Sequence, residues 1–213
     1  MDKNEALENL KKEMEADKSL PLYGTANLVF GEGSPDAEVM FIGEGPGFHE
    51  DRLVRPFVGQ AGKLLDKLLA SIGWPREAVY PHTKNFGVGV YITNILKRRP
   101  PENRDPLPKE IEAYKPYLTK QIEIINPKMI VALGRFAMAY FLPEAKISRD
   151  HGKVQKIDGR IIVSLYHPAA ALRSTQVLKD LEADFKKLPE LLKNDEGVKI
   201  EEKREATKQT SLF

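Results

Sequence analysis

The chain has 213 residues and a mass of 24.0 kDa, with 41% hydrophobic and 30% charged residues, a length that suits one domain with a full core plus tails. No run approaches the length of a membrane span, and the charged start MDKNEALENLKKEMEADK lacks the apolar run of a secretory signal, so a cytoplasmic location is expected. There is no Cys, hence no disulfide, thiolate ligand or thiol nucleophile, and a metal site built from the four His is not expected. The formal net charge of +2 is uneven: residues 19–193 carry 25 cationic and 20 acidic side chains, a mild excess compatible with a nucleic-acid surface without demanding one.

In chain order, residues 1–18 predict a charged N-terminal helix. Four apolar, β-branched runs follow, Val39 to Gly43, Val88 to Leu96, Met129 to Leu133 and Ile161 to Leu165. They are continuously apolar rather than alternating, as in strands buried on both faces of a parallel sheet. Helical spacing separates them: Ala61, Leu64, Leu65, Leu68, Leu69 and Ile72 within 59–72, and Ile111, Tyr114, Leu118, Ile122 and Ile125 within 108–125. A third helix is predicted over 174–192, with Ser174 as its N-cap. Alternation of this kind predicts an α/β fold, a three-layer helix–sheet–helix sandwich around a central four-stranded, mainly parallel sheet. One domain is expected over 1–193, and residues 194–213 read as a charged, disordered tail.

In such folds ligands bind at the carboxyl ends of the strands. After the first strand comes GEGPGFHEDRLVRPFVGQAG, whose glycines, Gly45 among them, let the backbone approach a ligand closely. It lacks the Lys and Ser or Thr of a phosphate-cradling loop and carries carboxylates instead, Glu44, Glu50 and Asp51. Phe57 is either a buried anchor or a stacking platform. Asn94, near the end of the second strand, is either a satisfied structural amide or a reader of a base edge, since an amide offers both donor and acceptor. Lys97, Arg98 and Arg99 read as a phosphate-contacting rim or as a solvated patch. His167, fixed before Pro168 at the end of the fourth strand, is an imidazole at the expected ligand position.

Together VFGEGSPDAEVMFIGEGPG (29–47), Glu50-Asp51, RPFVGQAGKLL (55–65), YITNILK (91–97), RPPENRDPLP (99–108), VALGR (131–135) and YHPAAALR (166–173) resemble family 4 of the uracil-DNA glycosylase superfamily, in family order over about residues 20–190. The resemblance implies a DNA groove leading to a pocket for a flipped-out uracil. It assigns Glu44 and Glu50 as the two acids, Phe57 as the aromatic that stacks on the base, Asn94 as the reader of its edge, Asn103 as the loop Asn and His167 as the HP-motif His. It also implies base contact at Gly45 and DNA contacts at Arg98, Arg99, Leu172 and Arg173. A non-catalytic uracil- or DNA-binding member is the alternative. A nucleotide hydrolase of similar architecture would want a metal-binding acidic cluster that the sequence does not offer.

One departure is sharp. Family 4 holds a 4Fe–4S cluster through four cysteines, whose positions fall here at Asp17, Leu20, Arg98 and Tyr114, so no cofactor is expected. Leu20 and Tyr114 are expected to pack in its place, with Arg98 pairing with Asp17 or contacting phosphate. The KRR run continues straight into Pro100 without a following His, so the covalent trapping of crosslinking relatives is not transferred. The terminal KQTSLF resembles a shortened sliding-clamp peptide through Gln209, Leu212 and Phe213. A monomer is expected.

Overall fold

The computed structural model describes residues 2–76 and 89–194. The clamp-like peptide with Gln209, Leu212 and Phe213 therefore lies outside the described residues, as does Val88 at the start of the second apolar run.

Among the described residues the sheet has six strands, not four: β1 (Glu32–Gly33), β2 (Val39–Gly43), β3 (Val90–Asn94), β4 (Met129–Leu133), β5 (Val154–Ile157) and β6 (Arg160–Leu165). Their spatial order is β1-β3-β2-β4-β6-β5. The four apolar runs form the inner, parallel part, while β1 and β5 add antiparallel edges on β3 and β6. Both edges escape a reading by apolar runs for physical reasons. Two residues of β1 carry no period, and β5 reads VQKI and stays half exposed.

Alternate strand residues feed two cores. Met40, Ile42, Ile130 and Ala132 face one layer, with Leu7, Leu10 and Met14 of α1 (Lys3–Ala16) and Leu118 and Ile122 of α4 (Pro108–Ile125). Val39, Phe41, Met129 and Val131 face the other, with Leu65, Leu68 and Leu69 of α3 (Gln60–Ser71) and Phe185 of α8 (Thr175–Phe185). This is the three-layer sandwich predicted from the alternation of elements. The helix predicted over 174–192 is two: α8, capped by Ser174 Oγ accepting from the Val177 N–H, and α9 (Leu188–Lys193). Pro189 explains the break, because it has no N–H for a helix running through from α8 and its ring would press on the preceding turn. Short helices α2 (Phe48–Leu53), α5 (Arg135–Phe141), α6 (Ile147–Asp150) and α7 (Pro168–Ala171) complete the chain.

The positions aligned with the cluster cysteines are tightly packed. Tyr114 is fully buried and donates its hydroxyl to the Pro21 carbonyl at 2.6 Å, and Leu20 is buried beside it. Asp17 accepts from Ser19 at 2.6 Å and from the Tyr117 hydroxyl at 2.8 Å, bonds that hold its carboxyl below the ordinary carboxylate range. The expected Asp17–Arg98 pair does not form. Arg98 is buried, donates to the Ala26 carbonyl at 2.6 Å and lies over the Tyr23 ring. An aspartate, a leucine, an arginine and a tyrosine engaged in this way do not fit an iron–sulfur cluster, which needs thiolates and the space Tyr114 fills. Among the described residues no group of three or more His, Cys, Asp or Glu is arranged to hold a metal ion, and no helix is long and apolar enough to cross a membrane.

Candidate active site

The loops leaving β2, β3, β4 and β6 converge at one end of the sheet. Gly43 ends β2 directly opposite Asn94, which ends β3. Asn94 is buried, and its Oδ1 has no hydrogen-bond partner among the described residues. A buried acceptor left unsatisfied costs about 1–3 kcal/mol, so this carbonyl asks for a donor from outside the chain. Asn94 and Phe57 both close in on Gly43, which has no side chain to hold them off. A Cβ on Gly43 would lie 2.5 Å from Asn94 Oδ1 and 2.5 Å from Phe57 Cζ.

Phe57 forms the opposite wall. It is buried, and its ring lies 5.5 Å from the His167 ring at an interplanar angle of 28°. The ring is thus an anchor, and it stands beside the unpartnered Asn94 Oδ1. Its backbone is left-handed, at φ 53°, which costs a non-glycine residue roughly 1–3 kcal/mol and persists only where the surroundings impose it. Three groups do so. Arg76 donates to the carbonyls of Pro56 and Phe57, both at 2.8 Å, and is held by Glu32 of β1 and by Asp66 of α3, each at 2.9 Å. Gly62 lets α3 approach so closely that any Cβ there would collide with the Phe57 carbonyl. Glu50 Oε1 accepts from the N–H groups of Val58 and Gly59 at 2.9 and 2.7 Å. Arg76 is missed by motif reading, because a lone Arg after Trp74-Pro75 carries no local signal and its partners lie 10 to 44 residues away.

The two acids separate. Glu50 Oε2 also accepts from the Gly47 N–H, at 3.1 Å, so both of its oxygens are engaged by backbone and its carboxylate splints the two loops around Phe57. Glu44 is half-buried and forms no hydrogen bond through its carboxylate with any described residue. Burial, and then the charge of Asp105, raise its pKa, while Arg135 opposes them. Arg135 is itself paired with Asp105, so the last residue of the VALGR run, to which the sequence assigned no role, reaches Glu44 electrostatically.

His167 caps α7. Its Nδ1 accepts from the Ala169 N–H at 3.1 Å, which leaves the ring proton on Nε2 in the neutral imidazole. Burial pushes its pKa down to about 4, with the Glu50 charge opposing, so the ring is neutral at physiological pH. Leu172 and Arg173 are exposed immediately after α7.

The expected rim of Lys97, Arg98 and Arg99 is corrected in two of its three members. Lys97 is fully buried, its three N–H groups matched by Thr93 Oγ1 at 2.6 Å, the Asn94 carbonyl at 2.7 Å and Gln121 Oε1 at 2.6 Å. Burial lowers its pKa. Arg98, assigned above to DNA, is instead buried, donating to the Ala26 carbonyl and lying over the Tyr23 ring. Only Arg99 reaches the surface, where its Nε donates to Asn103 Oδ1 at 2.7 Å. Asn103 is exposed, with a left-handed backbone at φ 55°, and orients Arg99.

The sequence is similar to those of known proteins. The family model "Uracil DNA glycosylase superfamily" matches residues 30–193. The chain is 44% identical over 197 residues to the type-4 uracil-DNA glycosylase of Archaeoglobus fulgidus, covering 88% of this chain and 94% of that protein. Identity is 42% to the type-4 uracil-DNA glycosylase of Sulfurisphaera tokodaii (88% of this chain, 85% of that protein) and 39% to that of Thermotoga maritima (84% and 93%).

Proposed function

The chain belongs to the uracil DNA glycosylase superfamily, and from that premise we propose that it is a DNA-repair glycosylase that flips uracil out of DNA and hydrolyses its N-glycosidic bond. The observation that carries this reading is the buried Oδ1 of Asn94, unpartnered among the described residues and lying beside the Phe57 ring at the carboxyl ends of the strands. Uracil presents an imide N3–H to such an acceptor, whereas cytosine has no proton at N3 and offers an amine beside it, so the buried amide discriminates by leaving its groups unpaired. Phe57 offers its ring to the base.

The reaction breaks the C1′–N1 bond, with the electron pair leaving on uracil and water adding at C1′. Negative charge grows on the O2–N1 side of the base. The neutral His167, with its remaining proton on Nε2, is suited to donate to a uracil carbonyl oxygen as that charge develops, a contribution of about 3–4 kcal/mol for an oxyanion donor. Positive charge grows on the sugar, and Glu44, the acid not consumed by backbone bonds, is the one to stabilise it or orient the water. Glu50 acts through Phe57 and the loop backbone, Gly45 through its backbone, and Asn103 through Arg99. Arg99, Leu172 and Arg173 contact the DNA. Extrusion costs a few kcal/mol and least for a mismatched or unpaired base, which favours uracil opposite guanine or in a single strand. The protein works as a cytoplasmic monomer without an iron–sulfur cluster, the segment 17–22 docking through Leu20 and Tyr114 instead, and its C-terminal peptide engages a sliding clamp.

A uracil-containing oligonucleotide incubated with the protein and then treated with hot alkali is expected to break at the uracil position. An intact strand, with binding preserved, refutes the enzyme and leaves the non-catalytic reading.

A further inference from the structure

The segment that leaves the Gly43–Gly47 loop turns outward into a feature that the proposed chemistry does not use. Phe48, the first residue of α2, is 46% exposed. The Arg99 guanidinium stands over its ring at 5.2 Å from the centroid and that of Arg52 at 5.6 Å, while the His49 ring meets it edge-on at 5.5 Å. A Phe exposed for packing reasons alone would gain by folding its ring against apolar neighbours. This one instead stands half exposed beside two cations drawn from different parts of the chain, and Arg99 is in turn fixed by Asn103.

From this geometry, and resting on the reading of the chain as an enzyme of DNA, we infer that Phe48, Arg52 and Arg99 form a stacking step for an unpaired base neighbouring the flipped nucleotide in single-stranded DNA. Three properties point to that occupant. The ring supplies a flat face of the kind on which bases of any sequence stack, and guanidinium planes stack on bases as well. The two arginines supply the positive charge that a phosphate backbone requires, and neither forms an ion pair with a carboxylate among the described residues. The step is continuous with the candidate active site, since Phe48 follows the loop beside Asn94 and Arg99 follows the strand that ends in Asn94. A paired base already has both faces covered by its neighbours, so the step serves single strands.

Equilibrium binding of a short fluorescent oligothymidylate, which contains no uracil, tests the step apart from the chemistry. Phe48→Ala and Phe48→Leu are expected to weaken binding about five- to a hundredfold, the range for loss of one stacked base, while Phe48→Tyr retains it. A strand of the same length made of abasic sugars is expected to bind wild type and Phe48→Ala alike. The inference is overturned if Phe48→Ala binds oligothymidylate as tightly as wild type, if Phe48→Leu restores affinity, if the loss is equal on the abasic strand, or if wild type does not bind the uracil-free strand. Thermal melting of each variant shows that the fold is retained. The two readings fail separately: a protein that binds oligothymidylate through Phe48 but never releases uracil loses the glycosylase assignment and keeps the step.

Discussion

Replacing Gly43 by Ala drives one methyl group against both Asn94 and Phe57. The Cβ would stand 2.5 Å from Asn94 Oδ1, 2.5 Å from Phe57 Cζ and 2.8 Å from Phe57 Cε2. Ordinary carbon contacts lie at about 3.5–4.0 Å, so each neighbour must retreat by roughly 1 Å. Neither can do so freely. Asn94 ends a central strand paired in register with β2, and Phe57 is fixed by the Arg76 and Glu50 bonds to its backbone neighbourhood. Overpacking of this kind costs about 1–3 kcal/mol of stability. Its effect on catalysis is larger, because the methyl displaces Asn94 and Phe57, the two groups assigned to the base, and a displacement near 1 Å of reacting groups costs on the order of a hundredfold in rate. Single-turnover release of uracil from an oligonucleotide, with thermal melting in parallel, measures both. A variant that melts slightly lower and reacts about a hundredfold slower or worse is expected. A folded variant reacting at the wild-type rate refutes the placement of the base between Asn94 and Phe57.

The two acids are expected to respond in opposite senses. Glu50→Gln puts an amide donor against backbone N–H groups and is expected to lower stability by about 1–3 kcal/mol, read by thermal melting. Glu44→Gln is expected to leave the melting temperature unchanged or raised, because burial already disfavours its charge, while slowing single-turnover excision. His167 sets an acid limit on stability. Its folded pKa of about 4 lies below the 6.5 of an ordinary imidazole, so between those values the unfolded chain binds a proton that the native chain does not. Stability therefore falls as pH drops from 6.5 to 4, by up to about 3 kcal/mol, and His167→Gln is expected to flatten that slope in denaturant titrations across the window. An unchanged slope would mean that the imidazole is not buried neutral.

Much of the scaffold is legible because its signals are local. The runs at Val39–Gly43 and Met129–Leu133 become strands with those bounds, since strands buried on both faces are written as unbroken apolar sequence. Where the controlling contact is distant, local reading fails. Lys97 and Arg98 look like surface cations, yet Gln121, 24 residues along the chain, completes a cage for one, and the Ala26 carbonyl, 72 residues away, receives the other. The site is legible to the same extent. Asn94, Phe57 and His167 stand out by residue type at strand ends, and the structure brings Asn94 and His167 each beside Phe57. The separate duties of Glu44 and Glu50, and the support Arg76 gives Phe57, depend on hydrogen bonds that span loops and leave no periodic trace.

Asn94 carries the central claim, and one substitution reaches it directly. Asn94→Asp keeps size and shape but removes the amide donor and turns the neutral carbonyl into a carboxylate facing a uracil carbonyl. Single-turnover excision by this variant and by wild type, on matched strands containing uracil or cytosine, is the measurement. The account predicts that wild type releases uracil and leaves cytosine, while Asn94→Asp, folded by thermal melting, loses uracil release by about a hundredfold or more or shifts toward cytosine. Full uracil release by Asn94→Asp with no gain on cytosine would contradict the account and reduce Asn94 to a structural amide.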